Sequence, residues 1–241
     1  MVNSIVCLFQ FSKSRRRSAD RMIEDTPIGD IRYVIVDTEL TGLNEKKDSI
    51  VSIGAVRMTG GRIDLGGNFY RLVRPDTELT AKSIVIHEIT PAEVMEKPDI
   101  SAVLTEFIDF CGNDVIVGYC LPIDMSFINR EMKRVFVSRM INEMLDVRLL
   151  WDWLGRRHPA HKAFSTPLRE QSLYEIAKRL DIAVGGAHNA MMDAFITAQV
   201  FQRFIPFLLE SGIRRMGDLL NIGSPERGGG WFKFGGAASN F

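Results

Sequence analysis

The sequence lacks an excess of charge of either sign. Its 30 Lys and Arg residues balance 30 Asp and Glu residues, so the formal net charge is zero at pH 7. Proteins that bind duplexes without sequence preference rely on a positive field over much of their surface. That field is absent here, so any nucleic-acid partner has to be held by local features of the chain.

Cysteines and long apolar runs are also scarce. The three cysteines, Cys7, Cys111 and Cys120, form neither a CxxC pair nor a disulfide framework. Thiols without disulfide partners are typical of a reducing compartment, and we predict a cytoplasmic location. No apolar run approaches the roughly 20 residues of a membrane-spanning helix, so we expect no membrane partner.

The composition that is present is that of an ordinary globular domain. The 241 residues are 46% hydrophobic and 25% charged, which suits one α/β domain with appendages, and we assign residues 30–222 to it. Residues 1–29 are expected to form a poorly ordered basic arm, because their apolar stretch precedes the arginines, the reverse of a secretory signal. The alternative is an arm that contacts nucleic acid or a membrane surface. Residues 223–241 form a Gly-rich, aromatic tail that either covers an apolar patch of its own domain or docks on a partner.

The apolar patterns predict a mixed sheet with helices. Residues 31–37, 48–58 and 62–74 have the pattern of strands, and the short connections between them imply antiparallel pairing. Two further short strands are predicted at residues 115–118 and 145–147. Helices are predicted near residues 90–96, 99–111, 123–136, 148–157, 172–180, 190–209 and 216–220. Three antiparallel strands followed by strand–helix alternation indicate the α/β fold class.

Two carboxylates stand at the end of the first predicted strand. Residues i and i+2 of a strand face the same side, so Asp37 and Glu39 are expected to project together. Like charges at this spacing repel, and one pKa should rise unless a cation lies between them. The pair therefore indicates a metal site.

Two further stretches carry acids at the start of a predicted helix. Asp124 follows the strand at residues 115–118, and Asp193 follows His188 at the start of the last long helix. Taken singly, these acids could be turn caps or first-turn carboxylates that interact with a helix dipole, and His188 could be a surface imidazole. Taken together, four carboxylates beyond the carboxyl ends of strands suit two hard divalent cations, and an imidazole can accept a proton near neutral pH.

This set of residues resembles the DEDDh group of 3′–5′ exonucleases, the DnaQ-like family. The resemblance covers residues 31–204, with the motifs around Asp37, Asp124 and Asp193 in the family's order. Residues 86–91 also resemble the family's Ile-His-Gly-Ile-Thr segment, and the branch of the polymerase III epsilon proofreading subunit is the most similar. The resemblance implies an RNase H-like mixed five-stranded sheet with helices on both faces. It also implies release of nucleoside monophosphates from single-stranded or frayed DNA 3′ ends, in proofreading or repair.

The resemblance also implies roles for the acids and the histidine. Asp37, Glu39 and Asp193 would bind an inner Mg²⁺ or Mn²⁺ ion. Asp37 would also reach a second ion, which Asp124 would hold largely through water. His188 would be the general base.

Substrate contacts are expected beside the acids. The backbone of Thr38 and Thr41 and the side chain of Leu40 would contact the terminal nucleotide, although Leu40 could equally be core packing. The second motif departs from the family, because Tyr119-Cys120 stands where many relatives have His-Asn and Ile123 stands where they have Phe. Tyr119 could stack on a base or be a buried tyrosine at the strand end. The departure affects base contacts and substrate preference, whereas Asp124 is retained.

Two alternatives share the same fold. One is an exoribonuclease that trims RNA 3′ ends, which differs only in substrate. The other is a non-catalytic module that binds a polymerase subunit or a nucleic-acid end, as the altered second motif and the aromatic tail would allow. The complete set of acids with His188 favours the enzyme.

Overall fold

A five-stranded mixed sheet lies at the centre of the protein in the computed structural model, which describes residues 22–164, 172–185 and 188–227. The strands, in the spatial order β3-β2-β1-β4-β5, are β1 (Arg32–Leu40), β2 (Ile50–Thr59), β3 (Arg62–Leu72), β4 (Val115–Gly118) and β5 (Met144–Asp146). β1 pairs antiparallel with β2 and parallel with β4. The predicted antiparallel set and the mixed character of the sheet are confirmed.

Helices cover both faces of the sheet. They are α1 (Ala81–His87), α2 (Pro91–Val94), α3 (Ile100–Cys111), α4 (Pro122–Phe136), α5 (Val147–Arg157), α6 (Leu173–Arg179), α7 (Ala190–Glu210) and α8 (Met216–Gly223). Within the described residues, no helix combines the length and the apolar character needed to cross a bilayer.

The central strand β1 supplies side chains to two separate cores. Its residues alternate between the faces of the sheet, as the pleat requires. Tyr33 and Ile35 pack with α5, α6, α7 and α8, whereas Val34 and Val36 pack with α3 and α4. Burial on both faces explains why β1 is a continuous β-branched run instead of an alternating one, and it confirms the prediction of helices on both faces.

Helix α1 does not follow from the hydrophobic pattern. Its two buried residues are Ser83 and His87, whereas Ile84 and Ile86 are only half-buried and Val85 is 79% exposed. The helix starts at the cap Thr80, whose side chain accepts the Ser83 N–H. A helix whose inward side is polar has no apolar periodicity to predict it.

Residues just outside the predicted domain boundaries also pack on the domain. Ile28 is fully buried and its carbonyl accepts the Tyr33 hydroxyl, and Pro27 forms a β-bridge with Arg215. Beyond α8, Arg227 pairs with Glu24 and Glu143 at 2.8 and 3.0 Å. Residues 22–29 and 223–227 therefore contact the folded domain. The rest of the predicted arm and tail, residues 1–21 and 228–241, lies outside the described residues.

Candidate active site

Three acids from two elements converge at the end of β1. Asp37 and Glu39 project from β1 to the same side, and Asp193 comes from the first turn of α7. One carboxylate oxygen from each residue lies within 4.8 Å of the other two. The structure thus brings together three of the four predicted metal ligands in a group that could hold a cation.

A glycine in β2 lets α7 approach this end of the sheet. Gly54 is the antiparallel partner of Asp37, and a β-carbon on it would stand 2.4 Å from the Met191 backbone nitrogen. The start of α7 is fixed by Asn189, whose side chain accepts the N–H groups of Met191 and Met192. This close packing of helix on strand brings Asp193 to the acids of β1.

Asp124 lies beside this group and is held by Thr38. Its Oδ1 accepts the Thr38 backbone N–H at 3.0 Å and the Thr38 hydroxyl at 2.6 Å. The residue belongs to the first turn of α4 and is buried. The Asp124 carboxyl therefore lies beside the cluster, and its Oδ1 is already hydrogen-bonded to β1.

Burial and mutual repulsion make it unfavourable for all of these carboxyl groups to be ionised at once. Some of the Asp37 surface is exposed, but its carboxyl is enclosed by protein atoms. This burial is the main reason why the pKa of Asp37 lies well above its ordinary value, and repulsion from Asp124, Glu39 and Asp193 raises it further. Burial, with repulsion from Asp193 and Asp124, raises the pKa of Glu39 to about 8. Burial raises the pKa of Asp124 to about 7 although the bonds from Thr38 act in the opposite direction. Without a cation, the site should retain protons at neutral pH.

Of the two Asp193 oxygens, one accepts a hydrogen bond and the other has no donor among the described residues. Its Oδ2 accepts the Tyr174 hydroxyl at 2.6 Å, whereas its Oδ1 is buried and finds no hydrogen-bond partner in residues 22–164, 172–185 and 188–227. A buried carboxylate oxygen without a donor is costly unless a ligand satisfies it. Together with the all-oxygen donor set, this oxygen fits a hard divalent cation.

His188 stands at the entrance to α7 with its side chain exposed. Its backbone is in the left-handed region, with φ of 61°, and its N–H donates to the Tyr174 hydroxyl at 2.9 Å. The two rings meet edge to face, with centroids 5.3 Å apart. The charge of His188 also opposes the rise in the Asp193 pKa, so the imidazole lies near the acids. That His188 acts as the general base stays a prediction.

The residues predicted to contact a nucleotide are in contact with other parts of the protein. The half-buried Leu40 packs against the core with α3 and α4, which favours the packing alternative. The hydroxyl of Thr41 accepts the Ser49 N–H at 2.9 Å, which ties down the turn after β1. Tyr119 packs against the core with α5 to α8, beside the Arg148 guanidinium, which supports a buried tyrosine. Contact of Thr38, Leu40, Thr41 and Tyr119 with a nucleotide stays a prediction.

Three residues that build the site were not predicted from the sequence. Gly54 and Tyr174 act through contacts between distant parts of the chain, and their sequence neighbourhoods give no signal for them. Asp146 is buried, and its Oδ1 accepts the N–H groups of Cys120 and Arg148 at 3.2 and 2.8 Å. It thus connects the altered second motif to the start of α5. An Asp between a short strand and a helix could have predicted the cap, although not the bond to Cys120.

The fold and the site together define a nuclease built on an RNase H-like sheet. The protein-family model described as Exonuclease matches residues 34–201. The chain belongs to this exonuclease family, and the predicted resemblance to DnaQ-like exonucleases is confirmed.

The chain is similar to two DNA polymerase III proteins and to a solved exonuclease structure. The DNA polymerase III PolC-type of Thermotoga maritima is 31% identical over 196 residues, which cover 81% of this chain and 13% of that protein. The DNA polymerase III subunit epsilon of Aquifex aeolicus is 31% identical over 197 residues, which cover 81% of this chain and 90% of the relative. The structure of Exonuclease X in complex with 5′ overhanging duplex DNA superposes with a TM-score of 0.55 and 27% identity, over 78% of this chain and 99% of that one. The chain thus spans only a small part of the PolC-type relative.

Proposed function

We propose that the protein is a metal-dependent 3′–5′ exonuclease that releases nucleoside monophosphates from single-stranded or frayed DNA ends. The observation that carries the proposal is the convergence of Asp37, Glu39 and Asp193, with a buried Asp193 oxygen for which the described part of the chain offers no donor. The exposed imidazole of His188 stands beside them. A cation site with an adjacent base is what hydrolysis of a phosphodiester requires.

The chain's own residues have distinct tasks in this proposal. Asp37, Glu39 and Asp193 would hold the cations, and Asp124 would contribute from its place beside Thr38. When bound, two Mg²⁺ or Mn²⁺ ions would supply neutralisation of the charge that develops on the phosphate oxygens. His188 would take a proton from the attacking water, because its ring is open to solvent and lies close enough to Asp193 for its charge to act there.

The names of relatives support DNA as the substrate. Exonuclease X was solved with 5′ overhanging duplex DNA, and the two relatives are named DNA polymerase III PolC-type and DNA polymerase III subunit epsilon. We therefore propose DNA 3′ ends as the substrate and a DNA polymerase subunit as a candidate partner, in proofreading or repair. RNA 3′ ends differ by a 2′-hydroxyl and serve as the comparison substrate.

The test is cleavage of a 5′-labelled DNA oligonucleotide in Mg²⁺ or Mn²⁺. The wild type should shorten it from the 3′ end, EDTA should stop the reaction, and a nuclease-resistant 3′ linkage should block it. Asp37→Asn should lose activity, whereas the matched control Asp30→Asn, an exposed acid before the opposite end of β1, should not. An intact oligonucleotide with wild type, or equal activity in Asp37→Asn, would refute the proposal. An RNA oligonucleotide run in parallel decides between the two substrates.

A further inference from the structure

Tyr174 joins two residues with different tasks in the candidate site. Its hydroxyl donates to Asp193 Oδ2 at 2.6 Å and accepts the His188 N–H at 2.9 Å. We propose that Tyr174 is a positioning residue, which selects the Asp193 oxygen that faces the cation and holds the backbone of His188. The inference rests on the proposed function for its importance in catalysis, but the two hydrogen bonds have consequences without it.

The first consequence concerns Asp193. A carboxylate can turn so that either or both oxygens face a cation. Because Oδ2 is bonded to Tyr174, Oδ1 is the oxygen left without a donor from the part of the chain that the structure describes, and it is buried. Tyr174 thus holds Asp193 in one orientation before any cation arrives. Outer partners of this kind raise the affinity of a metal site because the ligand is already oriented.

The second consequence concerns His188. Its φ of 61° lies in a region that residues other than glycine seldom adopt. Such a conformation persists only where the surroundings enforce it. The bond from its N–H to Tyr174 and the edge-to-face contact of the two rings, at 5.3 Å, are the enforcing contacts within the described residues. Tyr174 therefore fixes the point from which the imidazole projects.

Tyr174 is itself held firmly. It is the second residue of α6, which starts at Ser172 with a capping box that includes Glu175. Its neighbours Leu173 and Ile176 are buried in the core shared with α7. The hydroxyl is therefore presented from a fixed helix end, as a positioning role requires.

The test compares Tyr174→Phe with Tyr33→Phe. Tyr33→Phe also removes one hydrogen bond, from the tyrosine hydroxyl to the Ile28 carbonyl. Tyr33 lies four residues before Asp37 in β1, about 13 Å away at the usual rise of a strand. Mn²⁺ binding by calorimetry should weaken about 10- to 100-fold in Tyr174→Phe and stay unchanged in Tyr33→Phe. With DNA, kcat should fall at fixed metal concentration while KM stays near the wild-type value, because the substrate contacts are not altered.

A second measurement follows the His188 amide itself. In the wild type, NMR should show slow hydrogen exchange at the His188 amide although the residue is exposed, and Tyr174→Phe should accelerate it. Fast exchange in the wild type, or unchanged Mn²⁺ affinity in Tyr174→Phe, would overturn the inference. An equal loss of Mn²⁺ affinity in Tyr33→Phe would do so too. Slow exchange and weakened Mn²⁺ binding without any nuclease activity would support the positioning role and reject the proposed function.

Discussion

The backbones of Gly54 and Ala190 touch with no space for a side chain between them. A β-carbon on Gly54 would stand 2.3 Å from the Ala190 carbonyl oxygen. Both atoms belong to regular elements, the middle of β2 and the first residue of α7, so neither can yield locally. The distance between the acids of β1 and Asp193 is therefore set by the absence of one methyl group.

Gly54→Ala should separate α7 from the sheet at the active site. We expect a loss of stability of about 1–3 kcal/mol, as for other forced overpacking, and a larger loss of exonuclease activity because Asp193 and His188 move with the helix. Urea unfolding and the oligonucleotide assay measure the two effects. Gly61→Ala in the β2–β3 turn is the control, because a β-carbon there meets no atom of the described residues within 4 Å. Full activity in Gly54→Ala would contradict the role of the contact.

The sequence was sufficient to predict the residue types of the candidate site, because four acids and a histidine at the ends of predicted elements indicate a metal site. The predicted first strand ended at Asp37, whereas β1 continues to Leu40 with a register shift after Glu39. The extension depends on pairing with β2 and not on apolar pattern, so periodicity could not reveal it. Gly54 and Tyr174 depend in the same way on contacts between distant residues.

Thr38→Val tests how Asp124 is held. The variant keeps the backbone donor at 3.0 Å and loses the hydroxyl donor at 2.6 Å. Because that hydroxyl lowers the Asp124 pKa, which burial raises to about 7, the pKa should rise further. NMR titration of the Asp124 carboxyl in EDTA measures it. Nuclease activity should fall about ten-fold, a common effect of losing a partner of a metal-site carboxylate.

Thr38→Ser is the matched variant for this prediction, because it restores the hydroxyl without the methyl group. It should return both the Asp124 pKa and the activity towards wild-type values. If Val and Ser behave alike, the hydroxyl is not what holds Asp124.

The thiol of Cys120 should be unreactive in the folded protein. Burial, with the nearby charge of Asp146, raises its pKa to about 12, and burial raises the pKa of Cys111 as well. The thiolate is the reactive form, so labelling at pH 8 should be at least about 100-fold slower than in urea. The experiment uses a Cys7→Ser background, because Cys7 lies outside the described residues. Rapid labelling of Cys120 would show that the turn before α4 is open.

The metal-free protein should lose stability as the pH rises from about 5 to 9. The pKa of Glu39 is raised from 4.5 to about 8 and that of Asp124 from 3.8 to about 7. Between the ordinary and the raised values, the folded chain keeps protons that the unfolded chain has released. The free energy of unfolding then falls with pH, by at most about 1.4 kcal/mol per pH unit for each proton. The stabilisation is complete below the ordinary pKa values and disappears as the pH passes through 7 and 8.

Urea unfolding in EDTA at several pH values measures this slope, and Glu39→Gln is the variant that tests its origin. Glutamine does not ionise, so the variant should be less sensitive to pH between 6 and 9 than the wild type. Mg²⁺ should stabilise the wild type most at the alkaline end, because there the cation no longer has to displace protons from the acids. A wild-type stability that stays level or rises across this range in EDTA would contradict the raised pKa values and, with them, the electrostatic reason for a cation at Asp37 and Glu39.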